Sequence, residues 1–236
     1  MTEYSFKISR YNTGKNEKPY IQAYKINAKT SWSILDCLNE IKWHQDGTLA
    51  FRRSCRSGIC GSCAMNINSK NMLACETQLS DLKKKTILIK PLPYFEIIKD
   101  LVVDFDLFFD GIKSIKPYLI PERKSPENRE RGQTKEEREK LDGLYECINC
   151  GACTSSCPSF WHNDKYPGPA ALLKACRYVA DSRDNGKEER YPTIDTKDGI
   201  WQCHTIFNCA EACPKNLNPT EAIQKLKRNI IKDKIF

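Results

Sequence analysis

Cys147-Ile148-Asn149-Cys150-Gly151-Ala152-Cys153-Thr154-Ser155-Ser156-Cys157-Pro158 is the stretch on which the reading of this chain turns. Its frame, C-x2-C-x2-C-x3-C-P, is one in which three thiolates hold a single 4Fe–4S cluster and the fourth reaches across to another. The frame returns at Cys203-His204-Thr205-Ile206-Phe207-Asn208-Cys209-Ala210-Glu211-Ala212-Cys213-Pro214, with Ile206 where the second cysteine would stand. Two such runs facing each other exchange their fourth ligands. The exchange gives Cys147, Cys150, Cys153 and Cys213 to a 4Fe–4S cluster, and Cys157, Cys203 and Cys209 to a second one. With three thiolates and Ile206 in place of a ligand to a fourth iron, the second cluster is expected to be 3Fe–4S. It would leave an apolar side chain against an open corner.

Further out, a third group reads Cys55-Arg56-Ser57-Gly58-Ile59-Cys60-Gly61-Ser62-Cys63, followed by Cys75. The C-x4-C-x2-C…C spacing is that of the plant-type 2Fe–2S site, so Cys55, Cys60, Cys63 and Cys75 are expected to hold one 2Fe–2S cluster. Gly58 and Gly61 let the backbone curl until its N–H groups face the sulfurs, and Arg52, Arg53 and Arg56 add positive charge beside a negative group. Zinc is the competing ligand, but the four-residue gap fits poorly with paired C-x2-C knuckles. A disulfide framework is the other competitor. It belongs to small secreted domains, whereas no signal peptide or transit segment is read before residues 2–10, which alternate like a strand. Eleven of the thirteen cysteines fall in the three groups. Cys37 and Cys176 lie outside them and read as small buried hydrophobes.

Residues 4–8 and 20–26 read as a hairpin joined by the polar turn Asn12-Thr13-Gly14-Lys15-Asn16. Trp32, Leu35, Leu38 and Ile41 recur at helical spacing behind Ser31 as N-cap, with Trp32 and Trp43 as core. Ala64–Asn68 and Met72–Cys75 read as a second hairpin, and Thr86–Lys90 as a strand ended by Pro91 and Pro93. Together these predict a β-grasp domain with the first cysteine loop at the sheet edge. Ile97, Ile98, Leu101, Val102, Phe105, Phe108 and Phe109 give a helical stripe suited to docking between two domains. Residues 121–132, charged and proline-bearing, read as a solvated connection. Thr134 with Glu137 forms a capping box for a helix leading to Cys147. Pro169 starts a helix through Leu172, Leu173, Cys176 and Val179. Residues 181–199 read as a polar excursion, and Asn218-Pro219-Thr220-Glu221 caps a closing helix. The fold class is therefore α+β. An N-terminal β-grasp, plant-type 2Fe–2S ferredoxin-like domain (1–105) precedes a C-terminal α-helical bacterial-ferredoxin-like domain (106–236), with the connection at about 121–133.

The formal charge is +8. Alone, that would suggest an acidic partner such as nucleic acid. Thiolate-bound clusters of these types carry a net charge on the order of −2 each when oxidised, which brings the total to roughly +2. The basic excess is counter-charge, and no nucleic-acid partner is expected. The longest apolar stretch, Leu101 to Ile112, is broken by Asp104, Asp106 and Asp110, so no bilayer span is read.

With its three cysteine groups in this order, the chain resembles the iron–sulfur subunit of succinate dehydrogenase, respiratory complex II, over nearly its whole length. The motifs that carry the likeness are Ser54 through Cys63, Leu73-Ala74-Cys75, Cys157-Pro158-Ser159-Phe160-Trp161, and Cys203-His204 through Cys213-Pro214-Lys215-x-Leu217-Asn218-Pro219. A close relative, quinol:fumarate reductase, usually lacks the Cys-His-x-Ile pattern, which tips the choice to succinate:quinone reductase. The resemblance implies a flavoprotein partner with FAD that oxidises succinate to fumarate, and one or two membrane-anchor chains, with or without haem b. It implies electrons passing singly through 2Fe–2S, 4Fe–4S and 3Fe–4S to a membrane quinone, ubiquinone by expectation. The site would sit peripherally on an inner membrane, facing the mitochondrial matrix or the bacterial cytoplasm, and the Lys, Asn and Ile abundance suits a bacterial or organelle-encoded chain. By the same resemblance the quinone would draw on Pro158, Ser159, Trp161, His162, His204 and Ile206. The family usually carries a second tryptophan after Trp161; here the position is His162, whose imidazole N–H can donate as an indole N–H does.

Overall fold

The computed structural model describes residues 1–15, 18–122 and 128–235. The chain divides into two units, the first made of Met1–Phe105 with Ile148–Ser156, the second of Asp106–Cys147 with Cys157–Phe236. The return of 148–156 to the first unit is not foreseen in the sequence, and it splits the Cys147–Cys157 run between the two.

The first unit is built on β1 (Thr2–Arg10), β2 (Tyr20–Ala28), α1 (Ile34–His44), β3 (Ala64–Ile67), β4 (Lys70–Leu73), α2 (Leu79–Leu82), β5 (Thr86–Lys90), and a small hairpin of β6 (Ile97–Lys99) with β7 (Val102–Val103). The sheet runs β2-β1-β5-β3-β4, with β1 and β5 parallel and the other neighbours antiparallel. Tyr4, Phe6 and Ile8 alternate into the core, as a half-buried strand must, and share it with Leu35, Leu38 and Ile41 of α1. This is the β-grasp arrangement. The turn expected at 12–16 is described as far as Lys15; Asn16 lies outside the described residues.

Several local expectations are corrected. The N-cap of α1 is Ser33, not Ser31, in a full capping box with Asp36, and Trp32 stays outside the helix. Trp43 is 59 % exposed rather than core, with the Arg53 guanidinium 5.7 Å over its ring. The second hairpin turns at Asn68-Ser69, both with positive φ, so that Lys70 and Asn71 belong to a strand. The apolar stripe at 97–109 is not one helix. Asp100 adopts φ +49° and closes the β6–β7 hairpin, and the helix begins only at Asp106.

Asp100 explains that turn. It is buried, and its carboxylate accepts from Arg10 Nε (3.0 Å), Tyr11 N–H (3.0 Å) and Ala50 N–H (2.8 Å). Arg10 also donates to Gln22, Tyr24, Asp46 and Thr48. Burial works against the Arg10 charge, but Asp100 and Asp46 outweigh it and hold the guanidinium firmly protonated. With Arg52 donating to the Val103 carbonyl (2.7 Å), this network ties down the segment that enters the first cysteine loop.

Segment 148–156 carries the single turn α5 (Ala152–Ser155), which packs on edge strand β4. In the second unit, α3 (Asp106–Ser114) and α10 (Pro219–Ile235) pack on α7 (Gly168–Val179). The apolar core there includes Phe108, Ile112, Leu172, Leu173, Ile223 and Leu226. The short helices α4 (Lys135–Glu139), α6 (Pro158–His162), α8 (Lys187–Ile194) and α9 (Asn208–Glu211) fill the connections. Thr134 and Glu137 cap α4 reciprocally, and Asn218 Oδ1 accepts the Glu221 N–H at the start of α10. The expected connection at 121–133 falls in part on residues 123–127, outside the described residues. The polar excursion at 181–199 is more ordered than expected. It contains α8 and a fully buried Arg190, paired with Asp184 at 2.6 Å and bonded to the carbonyls of Ile115 and Tyr118. Cys37 and Cys176 are buried, and burial pushes their thiols up to about 12 and about 11, as packing residues would show.

Candidate metal centres

The first centre is the loop after the Arg10–Asp100 tie. Gly58 and Gly61 have φ of +69° and +72°, conformations that L side chains rarely adopt. The resulting curl turns the N–H groups of Ser57, Ile59 and Cys60 onto Cys55 Sγ at 3.3–3.4 Å, and the Gly58 N–H onto Cys75 Sγ at 3.3 Å. Cys55 N–H reaches Cys60 Sγ at 3.5 Å, and Ser62 Oγ lies 3.1 Å from the same sulfur. The Ser57 N–H, with those of Cys60 and Ile59, brings the Cys55 thiol down to about 6. Burial pushes Cys63 up to about 12. The site is thus asymmetric, with Cys55 and Cys60 exposed and Cys63 inside. Amide donors converging on sulfur stabilise thiolates, and so the loop fits an anionic cluster.

A second centre forms within the second unit. Cys157 precedes α6, Cys203 follows a 3-10 turn at Ile200–Gln202, and Cys209 lies on α9. All three line one pocket together with Pro158, Ser159, His204 and Ile206. Ser159 Oγ donates to the Gln202 carbonyl at 2.6 Å, fastening α6 to the loop that bears Cys203. Burial raises the Cys157 and Cys209 thiols, and the neighbouring thiols raise them further; the Thr220 hydroxyl, 3.1 Å from Cys209 Sγ, works the other way. Crowded buried thiols resist losing protons to water, and a metal cluster that takes the protons' place removes the conflict. Ile206 is 51 % exposed, in a turn where Thr205 and Phe207 both have positive φ, +60° and +69°. A β-branched residue there is a backbone outlier of the sort that marks functional turns. Gln224 Nε2 bonds Thr205 Oγ at 2.9 Å and Lys227 Nζ bonds the Cys203 carbonyl at 2.8 Å, so α10 holds the turn from below. None of these supports has a sequence signature.

Of the six residues expected to meet a quinone, Pro158, Ser159, His204 and Ile206 line the pocket; Trp161 and His162 do not, although both are exposed. The four cysteines expected around the 4Fe–4S cluster are shared out, Cys150 and Cys153 in the first unit, Cys147 and Cys213 in the second. Cys150 is buried, Gly151 opens α5 with φ +77°, and Cys213 Sγ accepts the Leu217 N–H at 3.4 Å. Among the described residues no three Cys, His, Asp or Glu side chains converge on a single ion. No disulfide is formed among the described residues.

Fold and centres define an iron–sulfur protein with a single-cluster domain followed by a two-cluster domain. A family model described as 2Fe-2S iron-sulfur cluster binding domain matches residues 5–110, and one described as 4Fe-4S dicluster domain matches 143–217. The chain is 46 % identical over 235 residues to a succinate dehydrogenase iron-sulfur subunit of Coxiella burnetii, covering 97 % of each chain. It is 46 % identical to succinate dehydrogenase (ubiquinone) iron-sulfur subunit 3, mitochondrial, of Arabidopsis thaliana, covering 94 % of this chain and 73 % of that one. It is also 46 % identical to the mitochondrial counterpart of Candida glabrata, covering 97 % and 92 %. A chain of the Mycobacterium smegmatis Sdh1 complex in the apo form has the same fold, with TM-score 0.84, 20 % identity, and 99 % and 98 % coverage. The chain belongs to the family of succinate dehydrogenase iron–sulfur subunits.

Proposed function

We propose that this chain is the electron-transfer subunit of a succinate dehydrogenase, carrying electrons one at a time from a FAD-bearing flavoprotein to a membrane quinone. The clusters, when bound, supply one-electron redox chemistry; the chain supplies ligation, hydrogen bonds and dielectric. Cys55, Cys60, Cys63 and Cys75 would hold 2Fe–2S, with the 57–60 amides stabilising negative charge. Cys147, Cys150, Cys153 and Cys213 would hold 4Fe–4S. Cys157, Cys203 and Cys209 would hold 3Fe–4S, with Ile206 denying a fourth ligand. The observation that carries the reading is the pocket in which these last three thiols share a wall with Ile206 and His204. An exposed apolar side chain and an imidazole at its mouth suit a quinone, which is apolar with polar carbonyls. The names of the relatives favour succinate oxidation over the quinol:fumarate direction.

Among the described residues no helix is long and apolar enough to cross a membrane. As its relatives' names suggest, the chain would work peripherally, against one or two anchor subunits with or without haem b, on the matrix face of a mitochondrial inner membrane or the cytoplasmic face of a bacterial one. In the assembled complex, His204→Ala should impair quinone reduction more than reduction of an artificial acceptor. Equal losses in both assays would remove His204 from the quinone site.

A further inference from the structure

We propose that Asn71 is a positioning residue that latches Ile148–Ser156 to the edge of the first unit's sheet, fixing the spacing of the two thiol-rich runs where Gly61 meets Cys150. The proposal rests on reading both runs as cluster ligands. Asn71 lies in edge strand β4 opposite Asn66, and is 8 % exposed. Its Nδ2 donates to Ser156 Oγ at 2.8 Å and to the Ala152 carbonyl at 3.4 Å, while its Oδ1 accepts from Asn66 Nδ2 at 2.8 Å. A carbonyl only accepts, so the end of the amide that faces Ala152 is the NH2 group. Both ends of the Asn71 amide are used, and its orientation is set from β3.

What the latch holds cannot hold itself. One helical turn is unstable alone, and α5 is one turn, closed by Ser155 N–H to Gly151 O (2.9 Å) and Ser156 N–H to Ala152 O (3.1 Å). Ala152 O thus takes the closing bond of the turn and the Asn71 bond together. Ser155 Oγ adds a bond to the Pro93 carbonyl (2.6 Å), and Gly151 lies so close to Phe105 that a Cβ would sit 2.6 Å from the ring. The segment bears Cys150 and Cys153. At its start, a Cβ on Gly61 would come within 2.7 Å of the Ile148 carbonyl and 2.9 Å of Cys150 Cβ, so the runs touch backbone to backbone. Coupling between two redox centres falls with their separation, and the docking of 148–156 holds Cys150 against Gly61 within the first unit.

The test uses the full, cluster-loaded chain with Asn71→Leu, of similar size without donors. Amide exchange at Ser155 and Ser156 should quicken about tenfold, the scale of one lost buried hydrogen bond, with β1 and β5 unchanged. The spin-relaxation enhancement of the 2Fe–2S signal by its paramagnetic neighbour should fall. Ser156→Ala, which removes only the 2.8 Å acceptor, should move both readouts the same way by less. Unchanged exchange and relaxation in both variants would overturn the proposal. So would equal quickening throughout the sheet, or failure of both variants to fold, because Asn71 would then serve the fold at large. Absence of clusters from the unaltered chain would instead overturn the reading beneath it.

Discussion

Gly61→Ala should destabilise the chain by about 2–4 kcal/mol, in two separable parts. The backbone part follows from φ +72°, which costs a residue with a Cβ about 1 kcal/mol. The packing part follows from contacts of 2.7 Å to the Ile148 carbonyl and 2.9 Å to Cys150 Cβ, neither a flexible side-chain end. Overpacking of this sort costs about 1–3 kcal/mol because backbone must shift. Gly14→Ala is the control, with φ +85° and nothing within 4 Å, so it carries the backbone part alone. For a chain of this size each kcal/mol lowers Tm by about 2–4 °C. Thermal unfolding of the cluster-loaded chain, followed by circular dichroism, should therefore show a drop of about 5–15 °C for Gly61→Ala and about 2–4 °C for Gly14→Ala. Equal drops would mean that the Gly61–Cys150 contact is not tight, and would refute the close approach of the two runs.

Arg190→Met should cost about 3–5 kcal/mol in urea unfolding, since it leaves Asp184 buried without its cation; adding Asp184→Asn should restore part of the loss, and a cost below about 1 kcal/mol would deny the pair its role. Stability should also fall in acid. Burial pushes the Asp46 carboxyl up, but the Thr48, Tyr24 and Arg10 hydrogen bonds outweigh it and hold the group well below the usual carboxylate range. The unfolded chain therefore binds the extra proton first, so the contribution of Asp46 is complete above about pH 4 and fades below it. Asp46→Asn should flatten the stability–pH slope there, and an unaltered slope would contradict this. Ile206→Cys should let the three-thiolate centre take up a fourth iron and lose its three-iron paramagnetic signal, whereas an unchanged signal after iron reconstitution would count against Ile206 as the vacant corner.

The cysteine runs stand out in the sequence because their spacing is local, a few residues from one sulfur to the next within each run. Capping at Thr134 and Asn218 was readable for the same reason. What escaped was decided at a distance. Periodicity could not separate a helix at 97–109 from a hairpin, because the turn at Asp100 is held by Arg10, ninety residues earlier. Ser31 is read from the sequence as the cap of α1, but Ser33 holds that place, because Asp36 three residues on completes the box with it. The polar stretch at 181–199 hid Arg190, whose partners include carbonyls more than seventy residues away. The docking of 148–156 on β4, through Asn71, left no pattern at all, and neither did the left-handed turn of Thr205 and Phe207 around Ile206.

The most direct test is iron and acid-labile sulfide analysis of the purified chain, combined with low-temperature electron paramagnetic resonance as it is reduced stepwise. Three distinct centres should appear, one of them a three-iron species present in the oxidised state and lost from the spectrum of Cys209→Ser. Zinc without sulfide, or spectra with no three-iron signal, would contradict the account.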